Sequence, residues 1–210
     1  MMKNRTIPAP APRRASEADV LAEQARGGDM GAFSRLATLY MDRIVNTCWR
    51  VCGHWEDAQD LAQEAFLHAV QGISSFQGRS GFYTWLFRIA VNLSIAHRRK
   101  QARGPRLAPQ GQELDWDQNH QAAKLVGRTR GQAPQPAEAL QAKETQRILL
   151  AGLEELDPEQ RAMIVLRDIE DLDYRQIAEV LDVPVGTVKS RLHRARMELR
   201  ARLKPALGEE

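Results

Sequence analysis

The stretch DYRQIAEVLDVPVGTVKSRLHRARMELR, residues 173–200, decides how the second half of this chain folds. Asp173 followed three residues later by Gln176 is a capping-box pattern, so a helix starts at YRQIAEVL. The chain turns at Asp182-Val183-Pro184, because proline cannot continue a helix and pushes the residue before it toward extended backbone. A second helix then runs from Val185 to about Leu203. Ile177, Ala178, Leu181, Val188 and Leu192 supply the apolar contacts between the two. A short helix, a tight turn and a second helix make a helix-turn-helix, which lays the amino-terminal part of its second helix in a DNA major groove. Thr187, Lys189, Ser190, Arg191, His193 and Arg194 are therefore the candidates for contact. Lys and Arg donate to guanine O6 and N7, and hydroxyls serve either phosphate or base. A helical hairpin with no DNA role has the same apolar pattern.

Working outward, Lys189 to Lys204 carries Lys189, Arg191, Arg194, Arg196, Arg200, Arg202 and Lys204 against Glu198 alone, although the whole chain has a net charge of only +3. This local basic stripe suits an anionic partner, nucleic acid first and an anionic membrane second, and it also suits a helix face that is basic for solubility. The 210 residues are 43% hydrophobic, enough to bury real cores. No run approaches the roughly 18 apolar residues of a membrane span, and MMKNRTIPAPAPRRAS has no apolar h-region, so no stable membrane insertion and a cytoplasmic location are expected.

Apolar residues recur at helical spacing and no segment sustains a period of two, so the expected class is all-α: two small helical domains joined by a flexible linker, the second containing the helix-turn-helix. In the first domain, residues 17–100, Ser16 with Asp19 starts a short helix closed by Gly27-Gly28. Asp29 caps a longer helix with the stripe Phe33, Leu36, Tyr40, Ile44, Cys48 and Val51, ended by Gly53. A third helix, Trp55 to about Val70, turns Ala58, Leu61, Ala62, Ala65, Phe66 and Ala69 inward, leaving Glu56, Asp57, Gln59, Asp60, Gln63 and Glu64 outward. Gly72 to Gly81 reads as a loop, and Phe82 to about Lys100 as a fourth helix.

Periodicity vanishes over residues 101–136, where Gly, Pro, Gln and charged residues dominate, so this segment is the linker. The second domain, residues 137–204, opens with a helix to about Leu156. Asp157-Pro158 then caps a further helix reaching about Arg167.

Three segments in one order carry a family resemblance. PVGTVKSRLHRARMELR resembles the promoter-reading helix of extracytoplasmic-function (ECF) RNA polymerase sigma factors, which in that family reads the minus-35 element. DAQDLAQEAFLHAV, residues 57–70, looks like that family's segment for binding the clamp helices of the polymerase's largest subunit. FYTWLFRIAVNLSIAHRRK looks like its promoter-melting and minus-10-reading segment. The resemblance covers residues from about 17 to 100 and from about 137 to 203. CWRVCGHW before the third helix and the long, proline-containing linker depart from the family's pattern.

The resemblance implies a non-catalytic subunit that binds core RNA polymerase, through its clamp helices and flap, together with promoter DNA. An anti-sigma protein is implied as a further partner. The core-binding set is then Asp57, Asp60, Leu61, Gln63, Glu64 and Phe66, the charged residues meeting the polymerase while Leu61 and Phe66 hold the helix in place. The minus-10 set is Phe76, Arg79, Ser80, Tyr83, Trp85, Arg88, Asn92, Arg98 and Arg99. By resemblance, the loop from Phe76 to Ser80 captures an unstacked base and Asn92 helps recognise it. Aromatic faces beside positive charge are how single-stranded DNA is held, although Trp85 and Phe87 read equally as core.

Energy points to the polymerase as well. Opening about ten base pairs costs on the order of 14 kcal/mol at about 1.4 per stacking step. Stacking two or three bases on aromatics returns about 2 to 9 kcal/mol. The shortfall calls for a partner.

Two rival readings remain. A helix-turn-helix regulator that is not a polymerase subunit needs only the second domain, but would carry a ligand or phosphorylation domain in the first, where no alternating βα pattern is visible. A nuclease would use Asp57, Asp60, Glu64 and His68 as metal ligands on one helix face. No GxxxxGK loop or GxSxG elbow completes a catalytic constellation, so no enzyme activity and no cofactor are expected. Cys48 and Cys52, one helical turn apart, read as small buried hydrophobes, with a metal or redox role beside His54 as the minor alternative.

Overall fold

The computed structural model describes residues 17–103, 145 and 147–207, and every regular element among them is helical. The first helical domain consists of α1 (Glu17–Arg26), α2 (Met30–Cys52), α3 (Trp55–Gly72), a 3-10 turn (Ile73–Ser75) and α4 (Phe82–Arg103). The second consists of α5 (147–154), α6 (Pro158–Ile164), a π turn (Val165–Ile169), α7 (Tyr174–Leu181) and α8 (Val185–Leu207). The all-α class with a helix-turn-helix in the second domain is as the sequence predicts. The Ser16 cap, residues 104–136 of the expected linker and the start of the helix expected from Ala137 lie outside the described residues.

Local chemistry explains the helix ends. The Asp29 side chain accepts from the Ala32 N–H at 3.0 Å, and α2 closes at Gly53, whose N–H donates to the Trp49 carbonyl at 2.8 Å. Gly53 has φ 95°, a left-handed conformation that costs an L-residue about 1–2 kcal/mol, and a Cβ there would sit 3.4 Å from Arg161 Nη1. In the second domain the Asp157 carboxylate accepts from the Glu159 N–H at 2.9 Å with Pro158 in the first turn. Asp173 accepts from the N–H groups of Arg175 and Gln176, while Gln176 Oε1 accepts from the Asp173 N–H at 2.8 Å, a complete capping box.

Packing follows the apolar stripes. Phe33, Leu36, Ile44, Cys48 and Val51 of α2 are buried, and Tyr40 is half-buried. All of Ala58, Leu61, Ala62, Ala65, Phe66 and Ala69 are buried on α3. In the second domain Ile177, Val188 and Leu192 close the helix-turn-helix, each full burial of such a side chain being worth about 1.5–3 kcal/mol. Gly152 permits the close approach of α5 to α8, since a Cβ there would lie 2.8 Å from Leu203 Cδ2.

Two features exceed the sequence reading. First, α4 continues through Arg103, beyond the expected end near Lys100. Second, the helix expected to stop near Arg167 instead widens into a π turn, in which the Glu170 N–H donates to the Val165 carbonyl at 3.0 Å. Asp171, at φ 56°, then reverses the chain into the Asp173 cap.

The two domains pack on each other, α2 and α4 against α6, the π turn and α7, and the buried apolar residues form one continuous cluster. No helix among the described residues is long and apolar enough to cross a membrane.

Replacing Asp173 with Ala leaves the N–H groups of Arg175 and Gln176 without their acceptor and is expected to cost about 0.5–2 kcal/mol in urea unfolding. An unchanged midpoint would show that the box contributes nothing.

Candidate DNA and polymerase interfaces

Helix α8 faces two ways. Val188, Leu192, Ala195 and Leu199 point into the core, while Lys189, Ser190, Arg191, His193 and Arg194 are exposed and Thr187 is half-buried. The turn before it is set by Asp182 in the left-handed region (φ 52°) and by the Val183 N–H donating to the Ala178 carbonyl at 3.0 Å. The Thr187 N–H closes the first turn of α8 onto the Pro184 carbonyl at 2.8 Å. Ser190 Oγ donates to the Thr187 carbonyl at 3.0 Å, so these two hydroxyl residues sit one turn apart on the outer face.

The basic stripe divides by partner. Arg196 pairs with Asp168 and Arg202 with Glu155 at 2.7 Å, which pin α8 to the domain beneath it, while the Arg202–Glu198 pair at 2.9 Å runs along α8 itself. Arg191 lies 3.5 Å from Glu159. Among the described residues Lys189, Arg194 and Arg200 carry no ion pair, which leaves their charge for an external anion. Sequence alone cannot make this division, because the carboxylates that claim Arg191 and Arg196 lie 28 or more positions away.

On α3, Asp60, Gln63 and Glu64 are exposed and Asp57 is half-buried, whereas Leu61 and Phe66 face the core. Asp57 accepts from Gln101 Nε2 at 3.0 Å and lies 3.1 Å from His97, so the end of α4 rests on the start of this acidic face. Glu64 and His68 are 3.9 Å apart on successive turns.

The aromatics before and within α4 form a packed cluster. Phe76 is 7% exposed, its ring meeting Phe82 edge-on at 6.0 Å and Trp85 at 5.2 Å. The structure thus places Phe76 in the core, where the sequence offers it to an unstacked base; four aromatics within ten residues give no means of telling which face out. Trp85 is half-buried, and Tyr83 packs on Phe87 at 4.1 Å. Arg79, Arg88 and Asn92 are exposed and Ser80 is half-buried. Arg98 Nη2 donates to the Glu154 carbonyl at 3.0 Å, and Arg99 pairs with Glu159. Asn92, Arg99, Glu159 and Arg191 line a cleft of about 290 Å³ between the domains.

Cys48 and Cys52 are free and buried. Cys52 Sγ donates to the His54 carbonyl at 3.2 Å. Burial pushes the Cys48 thiol up to about 12 and raises that of Cys52 as well. Among the described residues no three His, Cys, Asp or Glu side chains converge as a metal site, including Asp57, Asp60, Glu64 and His68.

Comparison with known proteins identifies this architecture. Residues 36–104 match Sigma-70 region 2 and residues 146–199 match Sigma-70, region 4. The chain is 34% identical over 187 residues to the ECF RNA polymerase sigma factor SigW of Bacillus subtilis, covering 87% of this chain and 94% of that one. It is 33% identical over 188 residues to the ECF RNA polymerase sigma-E factor of Escherichia coli, covering 90% and 95%. Among solved structures, CnrH in complex with the cytosolic domain of CnrY aligns with a TM-score of 0.62 at 25% identity, over 90% of this chain and 99% of that one. The sigma factor RpoE of Bartonella quintana, solved with the anti-sigma factor NepR, shares the fold, with a TM-score of 0.56 at 22% identity over 82% and 96%.

The two matched regions define a sigma factor of the sigma-70 class. More narrowly, the chain belongs to the ECF RNA polymerase sigma factors. It is a transcription initiation factor that binds core RNA polymerase and directs promoter-specific initiation, and it is not an enzyme.

The buried thiols generate a direct expectation. With the Cys48 thiol raised to about 12 by burial, its thiolate fraction at pH 8 is about one in ten thousand. Both cysteines should resist a thiol-reactive dye in the native chain and react in denaturant. The sign for stability is that an acid whose pKa rises on folding favours the fold fully below its unfolded pKa. That contribution is lost as pH climbs from the unfolded value of about 9 toward 12. Fast native labelling of either thiol would reopen a redox role.

Proposed function

We propose that the outer face of α8 reads the minus-35 element, with Thr187, Lys189, Ser190, Arg191, His193 and Arg194 as the contact set. The observation that carries this reading is that Lys189 and Arg194 are exposed cations without an ion pair among the described residues, at the amino-terminal part of the second helix of a helix-turn-helix.

In this reading the first domain, residues 17–100, does two jobs. Asp57, Asp60, Gln63 and Glu64 meet the polymerase clamp helices, while Leu61 and Phe66 hold α3 in position beneath them. Arg79, Ser80, Arg88, Asn92, Arg98 and Arg99 hold the minus-10 strand, with Tyr83 and Trp85 as neighbouring rings. Phe76 acts from within the core by fixing Trp85 and the loop that carries Arg79. The segment read as the linker, of which residues 101–103 belong to α4, leads from this unit to the promoter-reading unit, residues 137–204, which also meets the flap. The protein works in the cytoplasm, where its polymerase is, and a separate anti-sigma protein controls it. The RpoE relative, solved with the anti-sigma factor NepR, supports that last part.

Lys189→Ala or Arg194→Ala should weaken minus-35-dependent binding by about 1–3 kcal/mol if a bidentate base contact is lost, and uniformly across sequences if the contact is to phosphate. An unchanged promoter footprint removes the assignment. Asp60→Ala should lower the affinity for core polymerase while duplex binding by the free chain stays the same. Normal holoenzyme assembly by that variant would count against the α3 surface.

A further inference from the structure

Glu170, at the exit of the π turn, is only 5% exposed, and its partners come from the other domain. Arg43 Nε donates to Oε2 at 3.0 Å, Tyr83 Oη donates to the same oxygen at 2.8 Å, and Thr47 Oγ1 donates to Oε1 at 3.0 Å. Arg50 Nη1, itself buried, lies 4.0 Å from Oε1. These side chains stand on α2 and α4 and form a socket matched to one carboxylate: two guanidinium groups for its charge and two hydroxyls for its lone pairs. Arg43 also lies over the Tyr83 ring, 4.2 Å from its centre, which fixes the socket's outer wall. The contact is reciprocal, since Arg161 of α6 is 1% exposed and its Nε donates to the Arg50 carbonyl.

A second carboxylate works beside it. Glu159 pairs with Arg99 and lies 3.5 Å from Arg191, so one side chain occupies a guanidinium of the minus-10 set and one of the minus-35 set. Tyr83, from the minus-10 set, is held by Glu170. Phosphates and these carboxylates ask for the same donors.

We propose that the first domain carries a carboxylate-binding socket, Arg43–Thr47–Arg50–Tyr83, and that the chain's own Glu170 occupies it to hold the sigma factor in a closed form that competes with promoter DNA. No second protein is needed for this closure. An open form takes up DNA, and the apparent affinity of the free chain is its intrinsic affinity reduced by the fraction that is open. The competition rests on the reading of α8 and α4 as DNA-binding faces.

The test uses the full chain, small-angle scattering without DNA, and binding to a 30-base-pair random-sequence duplex. Glu170→Lys sets a cation against Arg43 and Arg50. Arg43→Glu reaches the same end from the first domain and leaves the second domain's sequence intact. Both should raise the radius of gyration and tighten duplex binding at least tenfold, with helix content by circular dichroism unchanged. Thr47→Val, which removes one donor at nearly constant shape, should move both quantities in the same direction by less. A radius that stays at the parent value in both charge variants overturns the inference, as does an opened variant with the parent's affinity. Failure of every form, opened or closed, to bind duplex would instead overturn the reading of the DNA faces, and it is separable because the radius is measured without DNA.

Discussion

A carboxylate taken out of water must find donors, and among the described residues Glu170 finds them across the domain boundary. That requirement fixes the register of the two domains. Apolar surfaces alone, such as those of α4 and α7, tolerate sliding because dispersion and burial have no direction. A carboxylate oxygen shared between a guanidinium at 3.0 Å and a phenol at 2.8 Å tolerates very little. Such a pair adds little net stability to a closed state, because desolvation offsets attraction. Removing one partner while leaving the other buried costs roughly 3–5 kcal/mol. The polar contact therefore acts mainly as a selector of one arrangement.

The charge of the second domain is likewise spent in two ways. Seven basic residues between Lys189 and Lys204 look equivalent in a line of sequence. In three dimensions Arg196 and Arg202 answer to Asp168 and Glu155, and they orient α8 on its support. Lys189 and Arg194 are exposed and carry no ion pair among the described residues. A DNA-reading helix needs both groups, since a contact set has specificity only if its backbone is held to a fraction of an ångström.

Much of this was legible in advance where the information is local. The inward set of α3 from Ala58 to Ala69, the caps at Asp29, Asp157 and Asp173, and the turn at Asp182 follow from periodicity and from side chains bonding the nearest backbone groups. What escaped is what depends on distant partners. Glu170 stands in RDIEDLD, which reads as a solvated charged turn, yet it is buried by residues 87 or more positions away. Arg161 precedes the apolar run AMIVL, a faint sign that its own side chain would be drawn inward. Phe76 is ambiguous for a different reason: a phenyl ring suited to stacking on a base is equally suited to stacking on Trp85, and no pattern in the chain separates the two.

The π turn at Val165–Ile169 carries a meaning for how this surface can change over generations. A π turn holds one residue more than an α turn, so it is a tolerated insertion whose effect is rotational. Deleting one residue there would restore ordinary helix and swing everything downstream by about 100°. The Asp173 capping box would survive intact, since its groups are local, but Glu170 would face away from α2. Gain or loss of a single codon is thus enough to couple or uncouple the two halves of the protein, without altering any residue that touches DNA or polymerase.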